Sequence, residues 1–586
     1  MSGKQEVAAH SPAAAEVRVG TQKPTGTFTG DNTDSGATDT RCRSYAGNVE
    51  DEKRSDPEEN IFDSRQSSKT PSRRPSAQRD DDDDDARTIV SFTRGDPENP
   101  YNWTLTKKMY VTCTCVALVM NSTIGSSLPS GATQELAAYF NITNQSLLVL
   151  PVSIYLIGYV LGPLVFAPMS ESFGRKWVVV GTFVVFTAFQ IGCALAPTFS
   201  GFIIMRLLVG IGSSTPVSVI GGIYADIYAS PTSRGRAVTL FMAATTWGPL
   251  AGPIISGFVS TVSWRWTFWI AAIIAGVTWP LVIFMPETYG PILLKRKAKK
   301  LRQESGNKNI MAPIELDDQS WAEFCTVTLT RPIRMFLFEW IVLFSCLYLS
   351  VAYAIFYIYF QAYPIIFQGT YGFNAGEEGL TFLPIGVGSM IAGGVYLWWE
   401  HYLAKAKARS PPPAWSQQEE FVRLPVALLG APLFATALFW LGWSARPSIY
   451  WMVPTLSALP FGIGFLLIFM ALINYIVDAY EIFAASAMGA ASCSRSIFGV
   501  VIPFAGRPMY TRLGIAWSCT LLGLLSVVMG VVPFVFIKYG GKIRANSKWC
   551  QELKRQKAEK EEKQRQMDEG EQNASQHLHQ SPEKQT

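Results

Sequence analysis

Residues 241–260 read FMAATTWGPLAGPIISGFVS, twenty consecutive positions without a charged side chain. At a helical rise of 1.5 Å per residue, such a run crosses a hydrocarbon core of ~30 Å. Its small residues are ordered rather than scattered. Ala244, Gly248, Gly252, Ser256 and Ser260 stand four apart in one stripe, and Thr245, Pro249, Pro253 and Gly257 form the adjacent row. Small stripes let helix backbones approach closely inside a membrane, and the prolines free backbone groups that bend the helix. A segment of this kind needs neighbours to pack against.

Those neighbours lie on both sides. Apolar runs precede it at 109–128, 147–168, 177–196 and 201–223, and one follows at 266–285, so that 238–260 is the fifth of six. After a charged break come runs at 335–360, 377–399, 424–443, 450–474, 484–506 and 514–537. The expected fold is an all-α membrane protein of twelve transmembrane helices in two six-helix bundles. The bundles fall at 107–285 and 333–537, joined by a linker over 286–332. The second run opens LPVSIYLIG and the eighth LPIGVGSMIAGG, weak repetition of the sort that parallel six-helix repeats leave. Residues 1–106, rich in Ser, Thr, Pro, Gly and charge with an acidic run from Asp80 to Asp85, read as a disordered tail. Residues 538–586 read as a second charged tail.

Lysine and arginine set the orientation. Arg175/Lys176, Arg234/Arg236, Lys295–Arg302, Lys405/Lys407/Arg409 and Arg423 fall in alternate loops, with Lys107/Lys108 and Lys538/Lys542/Arg544 at the ends. The positive-inside rule places these loops, both tails and the linker in the cytosol. The glycosylation sequons at Asn141 and Asn144 then lie in the first outer loop. The polar start MSGKQEVAAH lacks an apolar signal core, so the first span is expected to direct insertion itself.

Several chemistries are disfavoured. The nine cysteines lack metal-ligand spacing with the four histidines, and neither a disulfide framework nor a zinc site is indicated. No span carries a Ser/His or His/Asp/Glu constellation, so an enzyme is not expected. No Gly-x4-Gly-Lys-Ser/Thr sequence supplies a nucleotide site. No cofactor and no nucleic-acid partner are expected; a small organic substrate, protons and the lipid bilayer are, with the chain acting as a monomer.

Polar groups inside the apolar runs are the candidate machinery. Arg206 sits in the fourth span, where an unpaired cation costs several kcal/mol. Without a histidine in any span, proton coupling falls to a carboxylate: Glu339 lies inside an apolar run, while Asp226 and Asp478 lie near inner span ends and Arg495 lies in span eleven. Asn121, Gln190, Trp247, Tyr353, Tyr357 and Asn474 are candidates to line a central cavity, where aromatic walls suit flat or cationic substrates. In the flexible tail, Arg73-Arg74-Pro75-Ser76 has the form of a basic-directed kinase site.

The loop Ala167-Pro-Met-Ser-Glu-Ser-Phe-Gly-Arg-Lys176 resembles the inner-loop motif of the major facilitator superfamily, Gly-x-Leu-Ser/Ala-Asp-Arg/Lys-x-Gly-Arg-Arg/Lys. Glu171, Gly174, Arg175 and Lys176 are its latch residues here, with Ala167 in place of the first Gly and Glu171 in place of Asp. Arg206-Leu-Leu-Val-Gly210-Ile-Gly212 resembles the family's Arg-x3-Gly-x-Gly pattern, whose Arg is implicated in proton coupling. Gly248-Pro249…Gly252-Pro253…Gly257 resembles its antiporter motif. Asn99-Pro-Tyr-Asn-Trp103, Trp264-Arg-Trp-Thr-Phe-Trp269, Pro286-Glu-Thr-Tyr-Gly-Pro291 and Asn474-Tyr-Ile-Val-Asp-Ala-Tyr480 narrow the resemblance to the fungal twelve-span drug:proton antiporters. The resemblance implies a major facilitator fold and export of small amphiphilic molecules, xenobiotics or a secondary metabolite, by proton antiport. The plasma membrane is the expected site, with the vacuolar membrane the alternative. Two other readings stay open: a dedicated polyamine or metabolite carrier, and a nontransporting membrane sensor.

Overall fold

The computed structural model describes residues 88–555 apart from 94, 307–308, 317–320 and 481–482, together with 558–559, 562 and 565. The acidic run and the sequence around Ser76 lie outside the described residues. Among the described residues, eleven helices are long and apolar enough to cross a membrane.

In the first half the spans are α1 (Leu105–Ser127), α2 (Leu150–Ser172), α3 (Arg175–Leu195), α4 (Phe199–Ile227), α5 (Pro231–Val259) and α6 (Trp264–Ile283). In the second they are α7 (Trp340–Tyr363), α8 (Leu383–Lys407), α9 (Glu419–Ser444), α10 (Ala458–Tyr480), α11 (Ala484–Val501) and α12, the later part of the helix Pro503–Asn546. That last helix is broken at Gly514, whose φ of 74° and ψ of 170° are not helical. Residues 503–513 therefore prolong α11, and α12 proper begins after the break. The eleventh span is thus bipartite, with a first piece rich in Ser, Gly and Ala. Twelve spans, six in each half, are the observed architecture.

Local chemistry sets several ends. Thr198 and Ser263 side chains accept backbone N–H groups at the starts of α4 and α6. Gly174, at φ 95°, makes the sharp turn between α2 and α3 that a residue with a Cβ would resist. Inside a half, glycines set the closest approaches: a Cβ at Gly210 would overlap the Tyr155 carbonyl, binding α4 against α2.

The surface is inverted relative to a protein in water. Val277, Phe284, Trp398 and Val528 are between 60% and 76% exposed, whereas Ser122, Ser126, Ser213 and Ser214 are buried. Only a lipid solvent tolerates that distribution.

Three segments carry structure that composition did not show. Residues 88–104, read as part of a disordered tail, carry structure: Thr88–Ile89 pairs in parallel with Ile310–Met311, and Asp96 meets Lys297 at 2.5 Å. The Lys297 ammonium holds the Asp96 carboxyl below its ordinary range. Contact with the linker orders this strip, information that lies 200 residues away. The linker itself contains a helix, Gly290–Ser305, ended by left-handed Gly306. Likewise the helix of α12 runs on through Asn546, past the point where the charged tail begins.

Candidate functional site

The halves meet along α2 against α11 and α5 against α8. Between them lies a cavity whose walls include Thr123, Tyr159, Thr245, Tyr353, Phe465 and Arg495. Its volume of about 40 Å³ holds a few waters. A drug-sized ligand needs ~300 Å³ or more, so the halves must part to admit one. Among the described residues, the hydrogen bonds that join the halves lie level with the cavity or outside it. They are Cys493 Sγ to the Val160 carbonyl, Ser126 Oγ with Tyr357 Oη, Ser153 Oγ to the Val500 carbonyl, and Gln134 Nε2 to Gln368 Oε1.

The small-residue stripe of α5 is where the walls come closest. A Cβ at Gly248 would collide with Thr123 and one at Gly252 with Ser127, both on α1. A Cβ at Gly257 would collide with the Ala375 carbonyl, in the short helix Ala375–Leu380 that precedes α8, and one at Gly379 would press on Ile254. One face of α5 thus seats α1, and the next seats the other half. Pro249 lines the cavity, and the Pro253 carbonyl lies at the outer contact with Gly379.

Arg206 is fully buried, and its donors point at main-chain oxygens. Nε donates to the Pro151 carbonyl at 3.0 Å, Nη1 to Gly125 at 2.9 Å and Nη2 to Ser126 at 3.3 Å. The guanidinium also lies 4.5 Å from the Tyr155 ring centroid. This arginine clamps the C-terminal end of α1 to the N-terminal end of α2, and among the described residues no carboxylate is hydrogen-bonded to it.

At the end of the first half that carries the basic loops, Glu287 closes the N-terminus of α3. Its Oε1 accepts the Arg175 N–H at 2.9 Å and the Thr288 and Tyr289 N–H groups at 3.0 Å, while Oε2 accepts from Lys176 N–H at 3.2 Å. A carboxylate there offsets the positive end of the helix dipole. The Arg175 side chain reaches Ser170 Oγ at 2.6 Å, Asp226 Oδ2 at 3.2 Å and Glu171 Oε1 at 3.7 Å, and lies 4.9 Å from the Tyr289 ring. The second half repeats the device. Arg423 on α9 holds Asp478 at 2.7 Å, Glu400 at 3.0 Å and the Tyr396 hydroxyl at 2.8 Å.

The Major Facilitator Superfamily model matches residues 110–503, two thirds of the chain and nearly all of its membrane-spanning part. The chain belongs to the major facilitator superfamily. Curated relatives agree over most of its length. It is 35% identical over 469 residues to the major facilitator superfamily multidrug transporter mdrA of Aspergillus fumigatus, covering 79% of this chain and 76% of that one. It is 36% identical over 459 residues to the multidrug transporter TPO3 of Candida glabrata (78% and 71% covered), and 35% identical over 468 residues to the efflux pump FUB11 of Gibberella moniliformis (79% and 78%). Among solved structures, the proton:xylose symporter XylE matches with a TM-score of 0.55 at 18% identity, over 75% of this chain and 96% of that one. That likeness speaks for the fold alone.

Within this superfamily fold the expected site residues separate into groups. Tyr353 lines the cavity, and Tyr357 stands one turn outward, its hydroxyl 3.4 Å from that of Tyr353. The other expected wall residues are placed elsewhere. Asn121 donates to Thr278 Oγ1 on α6 at 2.8 Å, away from the cavity. Gln190 is fully buried, its amide without a hydrogen-bond partner among the described residues. Asn474 donates to Tyr396 in the Arg423 cluster, and Trp247 sits against Gly386 of α8. Polarity within an apolar run marks burial, but it does not say which neighbour the residue faces.

The acids also move. Asp226 belongs to the Arg175 latch. Glu339 is not inside a helix: it breaks the chain between the helix Trp321–Phe338 and α7 and accepts the Tyr480 hydroxyl at 2.9 Å. Residues to which pattern reading gave no site role are Glu287, Glu378 and Arg423, the last read only as one of the basic residues that set the orientation. Glu287 lay in the Pro-Glu-Thr-Tyr stretch without an assigned role. Glu378, 4% exposed, accepts from Gln368 Nε2 at 2.5 Å, so that Gln134, Gln368 and Glu378 form a chain across the outer closure. Its only signal was an acid pair, Glu377 and Glu378, at the very start of the run 377–399. The sequon residues Asn141 and Asn144 are exposed in the loop between α1 and α2.

Proposed function

We propose that the chain exports small amphiphilic organic molecules, drugs, toxins or a secondary metabolite, by alternating access driven by proton entry. The observation that carries this reading is the closed cavity between the halves, walled by aromatic rings, threonine hydroxyls and one cation. Such walls suit an organic molecule with an apolar body, and the relatives named as efflux pumps and multidrug transporters work on the same fold. In this reading the plasma membrane is the site of action and the tails and linker face the cytosol. The α5 stripe serves as the bearing on which the halves rock, and the Arg175 and Arg423 clusters latch each half's cytosolic helix ends. The chain acts as a carrier and performs no catalysis.

For coupling, Arg206 contributes by holding α1 and α2 in register. Asp226 and Glu339 keep structural partners, so the acid better placed to exchange a proton on opening is Glu378: it is buried at the outer closure and has no cation paired to it among the described residues. Opening outward would break the Gln134–Gln368 bond and expose it.

The test is efflux from cells lacking the protein and complemented with it, across a chemical panel, with and without a protonophore. Lower intracellular accumulation that depends on the gradient supports export by antiport. Unchanged accumulation across the panel overturns it, and retained flux after deletion of both tails excludes a sensor.

A further inference from the structure

Arg206 and Arg495 are both set within apolar spans, and their surroundings differ. Arg206 has carbonyl oxygens on all three of its guanidinium nitrogens. Arg495, on α11, faces the cavity and makes one long hydrogen bond, from Nη2 to Ser492 Oγ at 3.5 Å. Its guanidinium stands 5.7 Å from the Tyr353 ring. Among the described residues no carboxylate forms an ion pair with it, and none lines the cavity.

The other polar groups in the wall are already engaged. Thr123, Thr245 and Thr246 hydroxyls donate back to carbonyls of their own helices, and Tyr159 is held by Ser122 at 2.5 Å. The donor capacity left in the cavity is therefore that of a cation, a rigid fork of N–H groups suited to planar oxyanions. A charge without a partner in a low-dielectric wall is costly, and an anionic ligand relieves that cost while a cationic one adds to it.

We propose that Arg495 is the anion-binding group of the transport site, and that the preferred substrates are organic anions, carboxylates in particular, with an aromatic or flat apolar body. The carboxylate pairs with the guanidinium, and the body lies among Tyr353, Phe356, Phe465 and Phe469. This narrows the export reading and rests on it. It also reverses the preference for cations that aromatic walls alone suggest, and it places polyamines among the poor substrates.

The experiment uses one skeleton in three charge states: 1-naphthaleneacetate, its carboxamide, and 2-(1-naphthyl)ethylamine. Binding to the purified full-length protein in lipid nanodiscs is read from ligand-induced shifts of the melting curve, and flux from reconstituted vesicles. The carboxylate should bind and be moved at least about tenfold better than the amide, with the amine weakest, as expected when a charge-assisted pair is formed. Arg495→Gln should abolish the carboxylate-to-amide preference, and Arg495→Lys should keep part of it. Equal or better binding of the amide or amine, no stabilisation by the carboxylate, or an unchanged carboxylate-to-amide ratio in Arg495→Gln would overturn the proposal. Carboxylate binding that depends on Arg495 without flux of any of the three compounds would instead speak against export while leaving the anion site standing. Unliganded melting curves that match the wild type show that the variants are folded.

Discussion

Asp226 Oδ2 lies 3.2 Å from Arg175 Nε, tying the C-terminal end of α4 to the first turn of α3. The pair is mostly shielded, and it turns an acid with the appearance of a coupling group into part of a latch. Asp226→Asn should lower unfolding stability by about 1–2 kcal/mol, since one partner of a shielded pair is left behind. Thermal unfolding of the purified protein would measure this. The exchange Arg175→Asp with Asp226→Arg should recover part of the loss. A proton-carrying Asp226 would instead leave stability unchanged and abolish only gradient-driven efflux.

The α5 stripe makes a sharper prediction. Gly252→Leu should abolish transport with protein still present at the membrane, because the side chain meets Ser127 and the start of the turn after α1. Gly252→Ala should already impair efflux. Adding Ser127→Gly removes the hydroxyl that its Cβ would strike and should restore activity to Gly252→Ala but not to Gly252→Leu. Wild-type efflux from correctly localised Gly252→Leu would remove the packing argument.

Arg206→Ala would leave the Pro151, Gly125 and Ser126 carbonyls buried without their donor. A loss of about 3 kcal/mol in stability is expected. Uphill efflux and downhill exchange should fall together. A selective loss of uphill efflux at normal stability would assign the residue directly to proton movement.

Glu378→Gln keeps an acceptor for Gln368 but removes the titrating proton. Uphill efflux should be lost and downhill exchange retained, measured on the same vesicles at matched protein levels. Loss of both modes, or of neither, would place the proton path elsewhere. Collapsing the gradient in wild-type vesicles should reproduce the variant.

Orientation can be read from glycan attachment. Endoglycosidase treatment should increase gel mobility of the wild-type chain and leave Asn141→Gln/Asn144→Gln unaffected. Cysteines placed at Lys299 or Lys300 should be labelled only after permeabilisation. Labelling of intact cells at these linker positions would reverse the positive-inside assignment.

How much of this was open to reading along the chain depends on the range of the interaction. The twelve apolar runs, the sidedness of Lys and Arg, and the four-residue period of Gly248, Gly252 and Ser256 are local properties, and they decide the fold class because a bilayer leaves helices few alternatives. Tyr353 on a cavity wall was legible for the same reason. The partner of each buried polar group was not. Glu287 reaches Arg175 across 112 residues, and Arg206 reaches Gly125 across 81. A helical period states which residues share a face, and only the packing of one helix against another states what that face meets. That is why Asn121, Asn474 and Asp226 left the expected transport site, while Arg495, unremarkable in sequence beside Arg206, became the cation of the cavity.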